Sequence, residues 1–300
     1  MTAAEVTVRV PATSANVGPG FDALGLALTL HDEVTARVTG GGVQIEVHGI
    51  GEKTAALGEE HLVIRAMHAA FDVVGSRPAG IAISCRNAVP HGFGLGSSAA
   101  AIVAGIIAVR ELAGEQGAAA LPDMAVLRLA TQLDGHPDNA AACLFGGLTV
   151  AWQPGPGAVE VARLAPHASL APVVCIPDAP LPTEVARQAL PSQVPYADAA
   201  ANAARAALLI AALTQRPELL LAGTEDFIHQ RYRAGAMPAT AALTARLREA
   251  GIPAAVSGAG PSVLAFPVDG DAIATIARLA AGWEVLPLRV DTAGARTTTG

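Results

Sequence analysis

Residues 90–101 read Pro90-His91-Gly92-Phe93-Gly94-Leu95-Gly96-Ser97-Ser98-Ala99-Ala100-Ala101, three alternating glycines and two serines that run into an uncharged, alanine-rich stretch. Few folded contexts accept that order. Glycine lets backbone N–H groups close on an anion, and the first turn of a helix has unpaired N–H groups and a positive dipole end. A loop of this kind feeding a helix makes a cradle for phosphate, and it points to a nucleotide as guest. Ser97 suits the N-cap of that helix, which leaves Ser98 inside the first turn to face a ligand.

The cradle is not a Walker A loop, which needs a lysine just after its last glycine to reach the outer phosphates. Lys53 is the only lysine among the 300 residues, so cationic work falls to arginine or a metal ion. Two stretches, Gly94-Leu95-Gly96-Ser97-Ser98-Ala99 and Gly18-Pro19-Gly20-Phe21-Asp22-Ala23, fit the dinucleotide fingerprint G-x-G-x-x-A. That fingerprint wants a strand, a tight turn and a helix in immediate succession. Here residues 86–91 separate the apolar alternation Ile81, Ile83, Cys85 from the glycines.

Composition narrows the partners. An apolar content of 52% is ample for a packed core. A net charge of −7 with no basic cluster argues against nucleic acid. Cys85, Cys143 and Cys175 sit far apart among apolar neighbours, as reduced core thiols do, and the eight histidines show no metal-ligand spacing. The longest apolar run without a charge, residues 99–109, is short for a bilayer, and Met1-Thr2-Ala3-Ala4-Glu5 carries no basic-then-apolar leader. The expectation is a soluble, cytoplasmic protein with no membrane partner.

Val6, Val8 and Val10 alternate up to Pro11, which predicts a strand ending there and a turn-rich segment over 11–22. Further strands are expected over 32–37, 43–48, near Ile81 and over 146–152, with helices over 62–75, after Ser98 and over 122–133. Gln153-Pro154-Gly155-Pro156-Gly157 reads as a linker, dividing the chain into domains 1–153 and 154–300. Beyond it, strands are expected over 171–176, 254–257, 262–266 and 285–290, helices over 196–214, 218–229 and 238–250, and a mobile tail over 296–300. Irregular alternation of this kind is an α+β class in two domains.

Three segments in order, 11–22, 90–101 and Val256-Ser257-Gly258-Ala259-Gly260-Pro261-Ser262, resemble the three signature motifs of the GHMP kinases, a family that phosphorylates small molecules from ATP. Their spacing across nearly the full chain makes the match specific. The resemblance implies the two-domain GHMP kinase fold, with an N-terminal domain like ribosomal protein S5 domain 2, a ferredoxin-like C-terminal domain, and the substrates between them. It implies that Pro90, His91, Gly92, Phe93, Gly94, Leu95, Gly96, Ser97, Ser98 and Ala99 wrap the phosphates of ATP. It also implies that Ser98 and Asp134 hold Mg²⁺, Asp134 standing where the family has a longer glutamate.

Within the family, residues 14–22 and Gly135-His136-Pro137-Asp138-Asn139 are most similar to members that act on the amino acid L-homoserine. This implies substrate contacts at Asn16, Asp22, His136, Asn139, Arg187, Arg233 and Gly258, with Asn16 orienting the attacking hydroxyl and Ser98 and Asp134 completing the catalytic set. The chemistry is sensible: a guanidinium grips a carboxylate with two parallel hydrogen bonds, and an ammonium needs an acceptor such as Asp22 or the Asn139 amide oxygen. Phe93, His61 and Arg231 depart from the pattern, standing where arginine, asparagine and proline are common. The resemblance also implies a homodimer.

Alternatives stay open at this level. The chain fits another kinase of the family, acting on mevalonate, diphosphomevalonate or a sugar, or a nucleotide-binding protein that transfers nothing. Asn16 and Asp22 also read as turn formers, His136 as a buried loop histidine, and Arg187 and Arg233 as surface ion-pair residues.

Overall fold

The computed structural model describes residues 5–267 and 270–299. The leader reading at residues 1–4 and the last tail residue, Gly300, lie outside the described residues.

Strand β1 (Val6–Ala15) does not end at Pro11 but runs through it, and its register against β2 (Leu24–Thr39) shifts between Pro11 and Ala12. Proline has no N–H to give a ladder, and a bulge is where an inner strand tolerates that loss. The turn segment accordingly begins at Asn16, later than the proline suggested.

β2 is the spine of a seven-stranded sheet. Its far end pairs with β4 (Gly80–Asn87), which lies parallel to β3 (Gly42–Gly49), and its near end pairs with β5 (Leu148–Trp152). β6 (Glu160–Leu164) then folds back on β5. The expected linker at 153–157 is therefore a turn inside this sheet, so a division at 153/154 does not coincide with the sheet's limit. Proline and glycine mark a turn equally well whether it joins domains or hairpin strands.

Five helices follow this half of the chain: α1 (Leu62–Val74), α2 (Ser97–Leu112), α3 (Gly114–Ala120), α4 (Asp123–Asp134) and α5 (Pro137–Phe145). α2 and α5 pack on β1 and β2, and α1 and α4 pack on α2. That is why α2 carries no charge from Ile102 to Val109: all eight residues are buried, so no face is left there for water.

The second half builds a four-stranded antiparallel sheet, β10-β7-β9-β8, from β7 (Val173–Ile176), β8 (Ala254–Val256), β9 (Val263–Ala265) and β10 (Glu284–Pro287). Around it lie α6 (Thr183–Gln188), α7 (Tyr196–Thr214), α8 (Leu220–Gly223), α9 (Gln230–Arg233), α10 (Pro238–Glu249) and α11 (Ala272–Leu279).

The single helix expected over 218–229 is broken. Thr224 turns its hydroxyl back to Leu220 O at 2.7 Å, and the Asp226 carboxylate accepts the N–H groups of Ile228, His229 and Gln230, opening a new helix, α9. Nor is the tail loose at 296–299: β11 (Arg296–Thr299) pairs antiparallel with β1 and closes the first sheet.

One apolar cluster joins the halves. Leu26, Leu28 and Leu148 of the first sheet meet Val174, Leu264 and Phe266 of the second and Leu209 of α7. At about 1.5–3 kcal/mol per buried large side chain, this contact holds the cleft walls in fixed relation.

α7 is long and apolar enough, by length and composition alone, to cross a membrane, where no apolar run was expected to be. Its polar residues are tied to the rest of the fold: Asn202 donates to Pro19 O at 3.0 Å and Arg205 to Glu225 at 2.7 Å. Cys85, Cys143 and Cys175 are free and buried, and burial pushes the Cys85 and Cys175 thiols up to about 12.

Candidate active site

The three glycine-bearing segments, far apart in sequence, are stitched together by hydrogen bonds onto backbone carbonyls. Thr13 N–H donates to Leu95 O at 3.0 Å, Gly258 N–H to Ala15 O at 3.0 Å, and the Ser257 hydroxyl to Gly94 O at 2.7 Å. They surround a cleft of ≈ 320 Å³.

One wall is the phosphate loop. Gly92, Gly94, Leu95, Gly96, Ser97, Ser98 and Ala99 line the cleft, but Pro90 and Phe93 do not, and His91 faces an adjoining cavity of ≈ 250 Å³. Phe93 instead packs into the apolar cluster beside Val89 and Leu95, anchoring the loop from behind. Ser97 is not the N-cap: Gly96, at φ 70°, holds that place with no side-chain cap, and Ser97 and Ser98 are the first two residues of α2. A Cβ on Gly96 would fall 1.9 Å from Thr13 Oγ1, and one on Gly94 2.2 Å from Ser257 O. Only glycine lets this backbone take a left-handed turn so close to its neighbours.

The floor is where two helices meet. Ser98 opens α2, Asp134 closes α4, and the Ser98 hydroxyl donates to Asp134 Oδ1 at 2.7 Å. Burial raises the Asp134 pKa, and the Ser98 hydrogen bond works the other way. Asp138, which the sequence reading passed over although it lies in the quoted Gly-His-Pro-Asp-Asn run, also lines the cleft. It is buried, and its pKa is pushed up to about 7 by loss of water, against one N–H bond from Asn139 and with the like charges of Asp22 and Asp134.

The first-motif loop carries three non-glycine residues in the left-handed region: Asn16 (φ 67°), Val17 (φ 48°) and Asp22 (φ 55°). Asn and Asp tolerate it; a β-branched valine there stores roughly 1–3 kcal/mol, held by complete burial. Asn16 closes the loop, its Oδ1 accepting Asp22 N–H at 2.8 Å and its Nδ2 donating to Gly258 O at 2.7 Å. Asn16 thus has one N–H and one lone pair left for a ligand. Asn139 is similarly committed: its amide oxygen, expected to receive an ammonium, already accepts the Thr13 hydroxyl at 2.8 Å.

Two arginines complete the lining of the cleft. Arg187, on α6, pairs with Asp22 at 2.8 Å, and its Nε is buried with no hydrogen-bond partner among the described residues. Arg233, on α9, is 1% exposed, far from the surface position that arginine usually takes. Its Nε donates to Ala186 O at 3.1 Å and Nη1 faces Gly258 O at 3.4 Å. Burial, with Arg187 close by, pulls the Arg233 pKa down. His136, Thr183 and Gly258 fill the remaining lining. Thr183, not expected as a contact, is the first residue of α6, the helix that carries Arg187.

Among the described residues no group of three or more His, Cys, Asp or Glu is placed to hold a metal alone. Ser98 and Asp134 do offer two hard oxygens side by side, a donor set suited to Mg²⁺, which takes its other ligands from phosphate and water.

A glycine cradle, an acid–hydroxyl pair and two arginines lining one cleft are the equipment of a small-molecule phosphotransferase. Residues 61–147 match the model of the GHMP kinases N terminal domain and residues 199–284 that of the GHMP kinases C terminal domain. Homoserine kinase of Streptomyces avermitilis is 54% identical over 98% of this chain and 95% of its own. Homoserine kinase of Mycobacterium tuberculosis is 46% identical over 87% and 84%. The crystal structure of homoserine kinase from Cytophaga hutchinsonii superposes with a TM-score of 0.84 at 27% identity, covering 99% of this chain and 98% of that one. The chain belongs to the GHMP kinase family and, within it, to the homoserine kinases.

Proposed function

We propose that the cleft transfers the γ-phosphoryl group of ATP to the side-chain hydroxyl of L-homoserine, giving O-phospho-L-homoserine for threonine synthesis. The observation that carries this reading is that Arg187, whose Nε has no partner among the described residues, and Arg233 line one cleft with the glycine cradle. Arg187 and Arg233 grip the carboxylate, Asp22 takes the ammonium, and the hydroxyl lies toward Asn16, His136 and Asn139.

The amides of residues 94–99 receive the phosphates, and the base lies in the adjoining cavity between His61, His91 and Thr54. Ser98 and Asp134 hold Mg²⁺, which supplies charge neutralisation on the phosphates when bound. Phosphoryl transfer asks mainly for alignment and charge neutralisation. Asn16, fixed from both sides, suits alignment better than proton abstraction. The setting that goes with this reading is a cytoplasmic homodimer acting on small molecules, not on nucleic acid or a membrane.

A coupled ADP-release assay with homoserine, threonine, mevalonate and galactose in parallel tests the proposal. Turnover with homoserine well above the other three is expected. Preference for mevalonate or galactose overturns the substrate assignment, and no ADP with any of them overturns transfer itself.

A further inference from the structure

The guanidinium of Arg233 reaches the cleft from α9, and a histidine one turn earlier holds it in place. His229 is completely buried, its Nε2 lying 2.7 Å from Gly18 O and its Nδ1 3.3 Å from Arg233 Nη1. A carbonyl can only accept and a guanidinium can only donate. One tautomer satisfies both contacts: the proton on Nε2 and a lone pair on Nδ1. Burial, against the charge of Asp226, holds the ring neutral by lowering its pKa.

The same phenyl ring covers both partners. Phe21 stacks on His229 with centroids 5.0 Å apart, and the Arg233 guanidinium carbon lies 5.3 Å from the Phe21 centroid. With Nε given to Ala186 O and Nη1 shared between His229 and Gly258 O, the plane of the fork is set. Only Nη2 has no bond to another described residue. Gly18 meanwhile belongs to the loop that ends in Asp22, so one imidazole touches both the arginine and the loop facing it.

We propose that His229 is a positioning residue for recognition of the substrate carboxylate: it fixes the plane of the Arg233 fork and seats the 16–22 loop against it through the Gly18 carbonyl. This rests on reading Arg233 as a carboxylate grip. His229 itself touches no substrate. The share that runs through Arg233 is therefore confined to acceptors that carry a carboxylate, whereas loss of a merely structural residue weakens every substrate alike.

The test compares kcat/KM for homoserine with that for aminopropanol, which is homoserine without its carboxylate, in the full-length protein. Arg233→Ala is expected to cut the homoserine-to-aminopropanol ratio by about a hundredfold. His229→Phe, which keeps a ring but neither nitrogen, is expected to cut it by about tenfold, mostly through KM for homoserine, with KM for ATP changed by less than about twofold. The double variant is expected to be no worse than Arg233→Ala, since two residues acting through one contact are not additive. His229→Asn keeps an acceptor near the Nδ1 position and is expected to hold most of the ratio.

If Arg233→Ala collapses the ratio and His229→Phe leaves it intact, the positioning role is overturned while the carboxylate grip stands. If Arg233→Ala leaves the ratio intact, the grip itself is wrong and this inference goes with it. Should His229→Phe not fold, His229→Leu, which keeps apolar bulk and neither nitrogen, decides: a fallen ratio supports the role, and a retained one overturns it.

Discussion

The Ser98 hydroxyl donates to Asp134 at 2.7 Å, so the start of α2 and the end of α4 meet at the cleft floor although 36 residues separate them. A serine inside the first turn and an aspartate ahead of a left-handed glycine, Gly135, are each ordinary; their meeting beneath a phosphate loop is what gives them a use.

Replacing Ser98 with alanine is expected to lower kcat by about a hundredfold, the loss typical of one transition-state electrostatic contact. Asp134→Asn is expected to lower kcat similarly and to raise the Mg²⁺ concentration needed for half-maximal rate. Steady-state kinetics across a Mg²⁺ series checks both. Near-normal turnover in Ser98→Ala removes that hydroxyl from the mechanism.

Gly96→Ala places a methyl group 1.9 Å from Thr13 Oγ1 and 3.0 Å from Asn139 Oδ1, at φ 70°. The strain of a side chain in that region costs roughly 1–3 kcal/mol before the clash is counted. The loop must shift, so KM for ATP is expected to rise by about tenfold or more, with a drop in Tm. Unchanged ATP kinetics in a folded Gly96→Ala protein contradicts the cradle.

Arg187→Ala removes one wall of the carboxylate site and leaves Asp22 without its partner. KM for homoserine is expected to rise by about a hundredfold, in the range of losing a charge-paired contact, while KM for ATP stays close to wild type. Initial-rate measurements with each substrate varied in turn separate the two. An equal rise in both constants points to a general disturbance of the cleft.

Asp138 makes stability depend on pH in a direction opposite to that of most carboxylates. Its folded pKa is pushed from 3.8 up to about 7, with burial as the largest cause. Between those values the folded chain binds a proton that the unfolded chain has lost, so stability falls as pH rises through the window and levels off above it. The full effect is on the order of 4 kcal/mol. Asp138→Asn, neutral throughout, is expected to gain in Tm over wild type as pH goes from about 5 to about 8, without Mg²⁺ or nucleotide. A difference that does not vary with pH contradicts the placement of Asp138 as a buried acid.

The phosphate loop was legible because its demands are local. Left-handed backbone at Gly94 and Gly96 and an α2 without charge from Ser97 to Val109 leave marks in the residues themselves. Arg187 and Arg233 were not legible that way. Arginines on short helices look like surface residues until the fold buries one and aims both, and only the family likeness singled them out. His229, Phe21 and Thr13 went unread for the same reason, since each works through a partner more than a hundred positions away or one visible only after α9 forms.

The missed elements share a cause. The break at Thr224 and Asp226 depends on side chains turning back onto backbone, which a helical apolar period does not register. β6 and β11 are short strands whose partners, β5 and β1, supply the reason to be extended. Asp291 helps to bring β11 in: it accepts from Arg296 at 2.9 Å and contacts His31 at 2.6 Å, ties that alternation in the tail does not reveal.

The most direct test is phosphorus NMR of the wild-type protein incubated with ATP, Mg²⁺ and L-homoserine. The expected result is ADP together with a phosphomonoester whose phosphorus couples to the substrate's terminal methylene protons, in equal amounts. ADP accompanied by inorganic phosphate alone, or no consumption of ATP, contradicts a cleft built to hand phosphate to that hydroxyl.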